Sequence, residues 1–130
     1  MNNPSELQST IKAIRLYNSN ESDCAFESGF LPAKVKLAAE YFFCQKNVED
    51  YQKTAHPAPR RQYVVTLKGK LRFKVTNGDT FVLEPGIILI AEDLFGPGHS
   101  WELIEGDEWE RIYIPFDIKS DSNFIAGDSK

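Results

Sequence analysis

Apolar and polar residues alternate most clearly in the middle of the chain. Over residues 70–76, Leu71, Phe73 and Val75 alternate with basic residues. Because the side chains of a β-strand point alternately to its two faces, this period of two predicts a strand with one buried face. The Asn77–Gly78 pair that follows is a strong hairpin signal, since both residues tolerate a positive φ. The pattern therefore predicts a strand that ends in a tight turn.

Similar segments recur along the chain, separated by glycine, proline or asparagine. We expect strands at residues 11–17, in the second half of 35–44, and at 62–68, 70–76, 80–83, 87–91, 100–104 and 109–114. Gly69 is expected to form a turn or bulge, and residues 105–107 a turn between the last two strands. Many short strands without a long amphipathic helix predict an all-β fold. An antiparallel jelly-roll β-barrel is the simplest arrangement, because closure hides the sheet edges.

Size and charge limit the classes of protein to consider. The chain has 130 residues and a net charge of -4, so we expect one domain over residues 1–130, with a barrel core at about 35–116 and a polar tail at 119–130. The acidic balance argues against a nucleic-acid partner. The sequence shows neither an apolar stretch of roughly 18 residues nor a signal-peptide pattern, so we expect a cytoplasmic protein with no membrane partner. Cys24 and Cys44 form no metal-binding pair, and we expect reduced thiols.

The chain has only two histidines, which makes their positions informative. The first is part of a segment in which every second residue shares one face: His56, Ala58, Arg60, Gln62 and Val64. This face becomes apolar towards Val64, so we expect it to point into the barrel. Two prolines in the same segment remove backbone donors, which places it at a sheet edge or at the barrel mouth.

The second histidine, His99, follows a tight turn at residues 96–98 and shares a strand face with Trp101. Since Trp101 is a natural core residue, His99 is expected to face inward as well. Two inward imidazoles on separate strands, together with the amide oxygen of Gln62, suit a divalent metal ion. The alternative is that both histidines are structural residues of the core or rim.

The segment from His56 to His99 resembles the two sequence motifs of the cupin superfamily. In the first motif, His56 matches the first residue of a His-x-His pair and Ala58 stands in the place of the second. Gln62 replaces the motif's glutamate, and Gly69 closes the motif. In the second motif, Gly86 and Gly96 match its glycines, Leu94 occupies its proline position, and His99 matches its histidine.

This resemblance extends over roughly residues 38–116 and implies a cupin-like jelly-roll barrel that forms a homodimer. It also implies a mononuclear divalent metal (iron, zinc, manganese or nickel) held by His56, Gln62 and His99. Glu92 or Asp93 could supply a further carboxylate. The fold hosts isomerases, lyases and dioxygenases, so the resemblance does not choose the reaction.

The expected substrate is a small anionic metabolite. Arg60 is expected to bind its anionic group, although it could instead pair with an acidic residue on a neighbouring strand. Tyr63, Trp101 and Tyr113 are the candidate pocket aromatics, with core packing as the alternative. A metal-free module that binds a sugar or a carboxylate without catalysis is the second functional hypothesis.

Overall fold

A computed structural model describes residues 9–48 and 54–127 of the chain. The described residues form these strands: β1 (Thr10–Asn18), β2 (Cys24–Pro32), β3 (Phe43–Gln45), β4 (Gln62–Lys74), β5 (Thr80–Leu83), β6 (Ile88–Ala91), β7 (Ser100–Pro115) and β8 (Ile125–Ala126). They contain no helix, so the all-β prediction is confirmed. It follows that no helix in this part of the chain could cross a membrane.

The strands form one sheet in the order β3-β7-β4-β6-β1-β2-β8, and β5 pairs with β4 off this path. All pairings are antiparallel except β1 with β6, which run parallel. The sheet is therefore mixed, because the chain makes four strands between β1 and β6 and returns in the same direction. The two end strands of the path do not pair with each other, so the expected closure into a purely antiparallel barrel is not observed among the described residues.

Two long strands replace pairs of strands that were expected to be separate. β4 continues through Gly69, where the register with β7 shifts and φ is +116°. β7 continues in the same way through residues 105–107, where Gly106 has φ +87°. The glycines absorb these irregularities as bulges within the long β4–β7 ladder, so the predicted turn at 105–107 is wrong.

Two strands were not expected from the sequence. β2 pairs with β1 over its whole length, and β8 lies within the segment predicted to be a polar tail. Gly29 of β2 pairs with Ala126 of β8, and a Cβ on Gly29 would lie 2.0 Å from the carbonyl oxygen of Ile125. Glycine is therefore needed where these two strands approach each other.

Neighbouring residues of the same strand enter two different hydrophobic clusters. On β4, Val64 belongs to the larger cluster and Tyr63 to the smaller one. On β1, Ile14 and Ala13 divide in the same way. This division follows the period of two that the sequence shows. Because Ala13 and Ile14 belong to the clusters, the core includes residues before position 35, outside the predicted barrel core. The prediction of a single domain over the whole chain stays a prediction.

Candidate functional site

A cavity of about 460 Å³ opens on the side of β4 that carries the larger cluster. Its walls come from β3, β4, β6, β7 and the segment of residues 56–60. The following residues line it: Phe43, Gln45, His56, Pro57, Ala58, Pro59, Arg60, Gln62, Val64, Phe73, Leu89, Ala91, His99, Trp101, Trp109 and Tyr113. A volume of this size is in the range of small-molecule sites.

The two histidines lie side by side at this cavity. The backbone N–H groups of His56 and His99 each donate to the other residue's carbonyl oxygen at 3.0 Å, and the ring centroids are 5.3 Å apart. Gly98 allows this approach: its φ is +73°, and a Cβ would lie 2.0 Å from the carbonyl oxygen of His56. The residues predicted to share one face therefore do line a hollow, but the intervening Pro57 and Pro59 line it too, because residues 56–60 make only an isolated bridge and no continuous strand.

Each imidazole is held through its Nδ1 atom. His56 Nδ1 lies 2.7 Å from the carbonyl oxygen of Thr54, and His99 Nδ1 lies 2.5 Å from Oδ2 of Asp93. Both partners are acceptors, so the hydrogen of a neutral imidazole is on Nδ1 and the lone pair is on Nε2. An acceptor on the Nδ1 side of the ring fixes the orientation of a histidine that binds a metal through Nε2.

Gln62 contributes a buried polar atom that no described residue satisfies. The residue is 5% exposed, and its Oε1 atom is buried without a hydrogen-bond partner among the described residues. A buried acceptor without a partner costs about 1–3 kcal/mol. Two imidazole nitrogens and one amide oxygen on a single cavity form a donor set that fits a divalent cation.

Behind His99 lies a second group of donors, which the sequence did not indicate as a unit. Cys24, Asp93 and His99 are all buried, and their ligand atoms lie within 4.8 Å of one another, so this group could hold a metal ion. The thiol of Cys24 donates to Oδ2 of Asp93 at 3.3 Å. Burial, and then the charge of Asp93, raises the pKa of Cys24 far above its ordinary value. The thiol is therefore protonated at neutral pH.

Three of the four predicted substrate-binding residues line the cavity. Trp101 and Tyr113 are in its walls, and Arg60 is an exposed residue of its lining. Arg60 makes no hydrogen bond or ion pair with any residue in the described part of the chain, so the alternative of a structural ion pair is not seen there. The three predicted metal ligands also share the cavity, and their role as ligands stays a prediction.

Tyr63 lies elsewhere. Its ring stacks on Phe116 at 4.5 Å, and its hydroxyl donates to the carbonyl oxygen of Ser122 at 3.0 Å. The reason is the period of two: Gln62 and Val64 point to the cavity, so the residue between them points to the opposite side. Tyr63 therefore holds the C-terminal segment and does not line the cavity.

Of the two carboxylates considered before His99, only Asp93 approaches it. The carboxylate of Glu92 is on the other side, where Arg15 and Arg61 both bind it. Asp93 contacts the Nδ1 atom of His99, so it supports the ring and does not add a ligand inside the cavity.

Sequence reasoning missed part of the cavity wall. Strand alternation could have predicted that Phe73 and Trp109 line the cavity. Phe73 is on the apolar face of the predicted strand 70–76, and Trp109 shares a strand face with Tyr113. Phe43 and Gln45 enter from the short strand β3, which pairs with β7. Nothing local in the sequence indicates that pairing.

Scans of protein-family models, of curated proteins and of solved structures find no match to this chain. The resemblance to cupins therefore depends on the motif residues alone.

Proposed function

We propose that the protein is an enzyme that acts on a small anionic metabolite at a mononuclear divalent-metal centre held by His56, Gln62 and His99. The observation that carries this proposal is the buried Oε1 atom of Gln62. It has no hydrogen-bond partner among the described residues and shares a cavity with two imidazoles whose Nδ1 atoms are already bonded. Binding of a cation by this oxygen would remove the cost of burying it without a partner.

The competing donor set is Cys24, Asp93 and His99. A metal ion there would have to break the 2.5 Å contact between His99 Nδ1 and Asp93 and remove the proton of a thiol whose pKa is raised. Metal ligation requires the thiolate. The cavity set needs neither change, so we favour it, with Asp93 as the group that orients His99.

Cobalt substitution distinguishes the two donor sets. If the cavity set binds the ion, protein loaded with cobalt(II) shows no thiolate-to-cobalt charge-transfer absorption, and Cys24→Ser binds the same amount of cobalt. A charge-transfer band that disappears in Cys24→Ser and persists in Cys44→Ser would instead assign the ion to the buried thiol. Cys44 is the matched control because it is exposed and free.

The residues of the chain have separable tasks in this proposal. The metal, when bound, supplies Lewis-acid catalysis or dioxygen activation, which suits an isomerase, a lyase or a dioxygenase. Arg60 binds and orients the anionic group. Asp93 holds the His99 ring, and its carboxylate balances positive charge at the centre. The aromatic walls exclude water from the substrate.

The cupin-like jelly roll and the homodimer belong to the same proposal. The jelly roll is supported by the chain's two histidines, which match the two cupin motifs and whose ring centroids lie 5.3 Å apart at one cavity. The homodimer follows from the resemblance alone. The described residues form an all-β sheet, as such a barrel requires, but the sheet is mixed and is not closed.

Elemental analysis of protein purified without a histidine tag tests the metal centre. We expect a stoichiometric first-row divalent metal in the native chain and its loss in His56→Ala and in His99→Ala. Cys44→Ser should retain the metal. Circular dichroism of each variant checks that it is folded. Folded histidine variants that keep the full metal content would overturn the proposed ligands.

A metal-free binding module is the second candidate. It is favoured by the Asp93–His99 contact, which is complete without a metal, and by the guanidinium of Arg60, which has no partner in the described part of the chain. In that case metal-free protein is stabilised by a small carboxylate, because a ligand that binds only the folded state raises its stability. Thermal unfolding of chelator-treated protein, with and without the carboxylate, separates the two candidates.

A further inference from the structure

Among the described residues that line the cavity, the guanidinium of Arg60 is the one permanently charged side chain. The described residues that line it include two histidines and Arg60 but no Asp or Glu. Asp93, which lies behind His99, is fully buried and is engaged by His99 and Cys24. Arg60 has no partner among the described residues, so its charge is available to a ligand. A cavity of this kind favours an anion over a neutral molecule.

The walls of the cavity are mainly aromatic. Trp101 and Trp109 meet edge to face at 4.9 Å, and Phe73 meets Trp109 in the same way at 6.0 Å. Phe43 stacks on Tyr113 at 5.1 Å. These rings offer flat apolar surface, which suits a ligand that itself has an apolar ring.

Two of the polar side-chain groups at the cavity are already bonded within the protein. The indole N–H of Trp109 already donates to Thr66, and the Oε1 atom of Gln45 accepts from Arg111. Gln62 is assigned to the metal. The charged guanidinium comes from the segment of residues 56–60, whereas most of the rings come from β4 and β7, so the cavity suits a molecule with one charged end and one flat apolar end.

We propose that the ligand of this cavity is a single-ring aromatic carboxylate, with its carboxylate on Arg60 and its ring against Trp101 and Trp109. This ligand class rests on the proposed function, because it concerns the substrate of the same centre. It replaces the open choice between a sugar and a carboxylate with a carboxylate of defined shape.

Isothermal titration with three matched probes tests the ligand class. Benzoate carries both features, benzamide keeps the ring without the charge, and cyclohexanecarboxylate keeps the charge without the aromatic ring. We expect benzoate to bind about tenfold or more tightly than benzamide and about threefold or more tightly than cyclohexanecarboxylate. Equal affinities for benzoate and benzamide, or no binding of benzoate, would overturn the proposal.

Variants locate the binding. Arg60→Gln should weaken benzoate binding by about tenfold or more, whereas Arg72→Gln should not change it. Arg72 is the matched control because its guanidinium faces Glu102 across the ladder at 3.7 Å and it does not line the cavity. Phe43→Ala, at a partly exposed wall position, should weaken benzoate more than it weakens acetate. Unchanged benzoate affinity in Arg60→Gln would refute the assigned carboxylate site.

The metal content of the same samples separates this inference from the proposed function. A stoichiometric metal without selective benzoate binding would reject the ligand class and leave the metal centre in place. Selective benzoate binding by a chain that holds no metal would support the ligand class and reject the metal centre. Absence of both would reject both.

Discussion

At the scale of single residues, Gln62 is the weakest ligand of the proposed centre, because its amide is neutral. Gln62→Glu should raise the affinity for a divalent metal by about tenfold or more, since a carboxylate adds a negative charge at the same position. Gln62→Leu, which keeps the volume but removes the oxygen, should lower the affinity. Competition with a coloured chelator at pH 7 measures both changes.

Gln45→Glu is the control for this substitution. Gln45 also lines the cavity, but its Oε1 atom accepts a hydrogen bond from Arg111 at 3.2 Å. A new carboxylate at this position is expected to pair with the guanidinium and to leave the metal affinity almost unchanged. If both glutamate variants raised the affinity equally, the effect would be general electrostatics and Gln62 would not be a ligand.

Tyr63 gives the protein a dependence on alkaline pH. Burial, and then the charge of Glu92, raises its pKa from about 10 to about 12. The folded state therefore favours the neutral phenol. This contribution is fully present below pH 10 and is lost as the pH rises to 12, because the unfolded chain releases its proton first. The expected loss of unfolding free energy is on the order of 2 kcal/mol.

Tyr63→Phe isolates this effect in urea unfolding followed at several pH values. At pH 7 the variant should be less stable by about 1 kcal/mol, since the hydrogen bond to Ser122 is removed. The advantage of the native chain should shrink above pH 10 and change sign by pH 12, because the expected loss exceeds the contribution of the hydrogen bond. Tyr17→Phe is the control, because that hydroxyl makes no hydrogen bond in the described part of the chain. A constant difference across this pH range would contradict the prediction.

At the scale of elements, the histidine pair depends on the close approach of two segments at Gly98. Gly98→Ala would place a Cβ 2.0 Å from the carbonyl oxygen of His56, so the segments must separate. We expect metal affinity to fall by about tenfold or more, because both imidazoles lose their common position. Metal titration and urea unfolding of the variant measure the two consequences.

Gly78→Ala is a close control for the backbone. Its φ is +94°, and a Cβ there would meet nothing within 4 Å. Both variants carry the cost of a positive φ, which is roughly 1–2 kcal/mol, but only Gly98→Ala adds a steric clash. Equal losses of stability and unchanged metal affinity in both variants would show that the approach at Gly98 is not required.

The strands that could be predicted from the sequence are those in which the pattern of apolar and polar residues matches the pattern of buried and exposed residues. β5 was expected at its observed position, and β1 and β6 to within a residue at each end, because apolar residues alternate or run together there. β2 was missed: its residues 27–29 are Glu, Ser and Gly, and no regular alternation continues across them. Its stability comes from pairing with β1 over the whole length of both strands, and such long-range pairing is not visible in a local pattern.

The candidate site likewise has a part that could be predicted from the sequence and a part that could not. Gln62 and His99 could be placed on inward faces because each lies in or next to a strand with a period of two, whereas His56 lies in a segment that makes only an isolated bridge. Asp93 was considered as a ligand, but its contact with the far side of the His99 ring depends on tertiary structure. Cys24 reaches the same carboxylate from a strand that was not predicted. A local sequence pattern indicates which face of a strand a residue occupies, but only the tertiary structure shows which residues from other strands lie beside it.

At the scale of the whole molecule, the two hydrophobic clusters share strands. β1, β4 and β6 each supply residues to both clusters, so neither cluster can lose its packing without disturbing the other. Both tryptophans, Trp101 and Trp109, belong to the larger cluster and line the cavity. Their fluorescence therefore reports the site, while far-ultraviolet circular dichroism reports the whole sheet.

We expect metal binding to stabilise the entire fold as one cooperative unit. With free metal at 100 times its dissociation constant, the free energy of unfolding should rise by about 2.7 kcal/mol. The fluorescence and dichroism transitions should move together, because the clusters share β1, β4 and β6. A chelator should reverse the shift, and His56→Ala should show none. A shift confined to tryptophan fluorescence would mean that the metal stabilises the cavity locally and that the two clusters unfold independently.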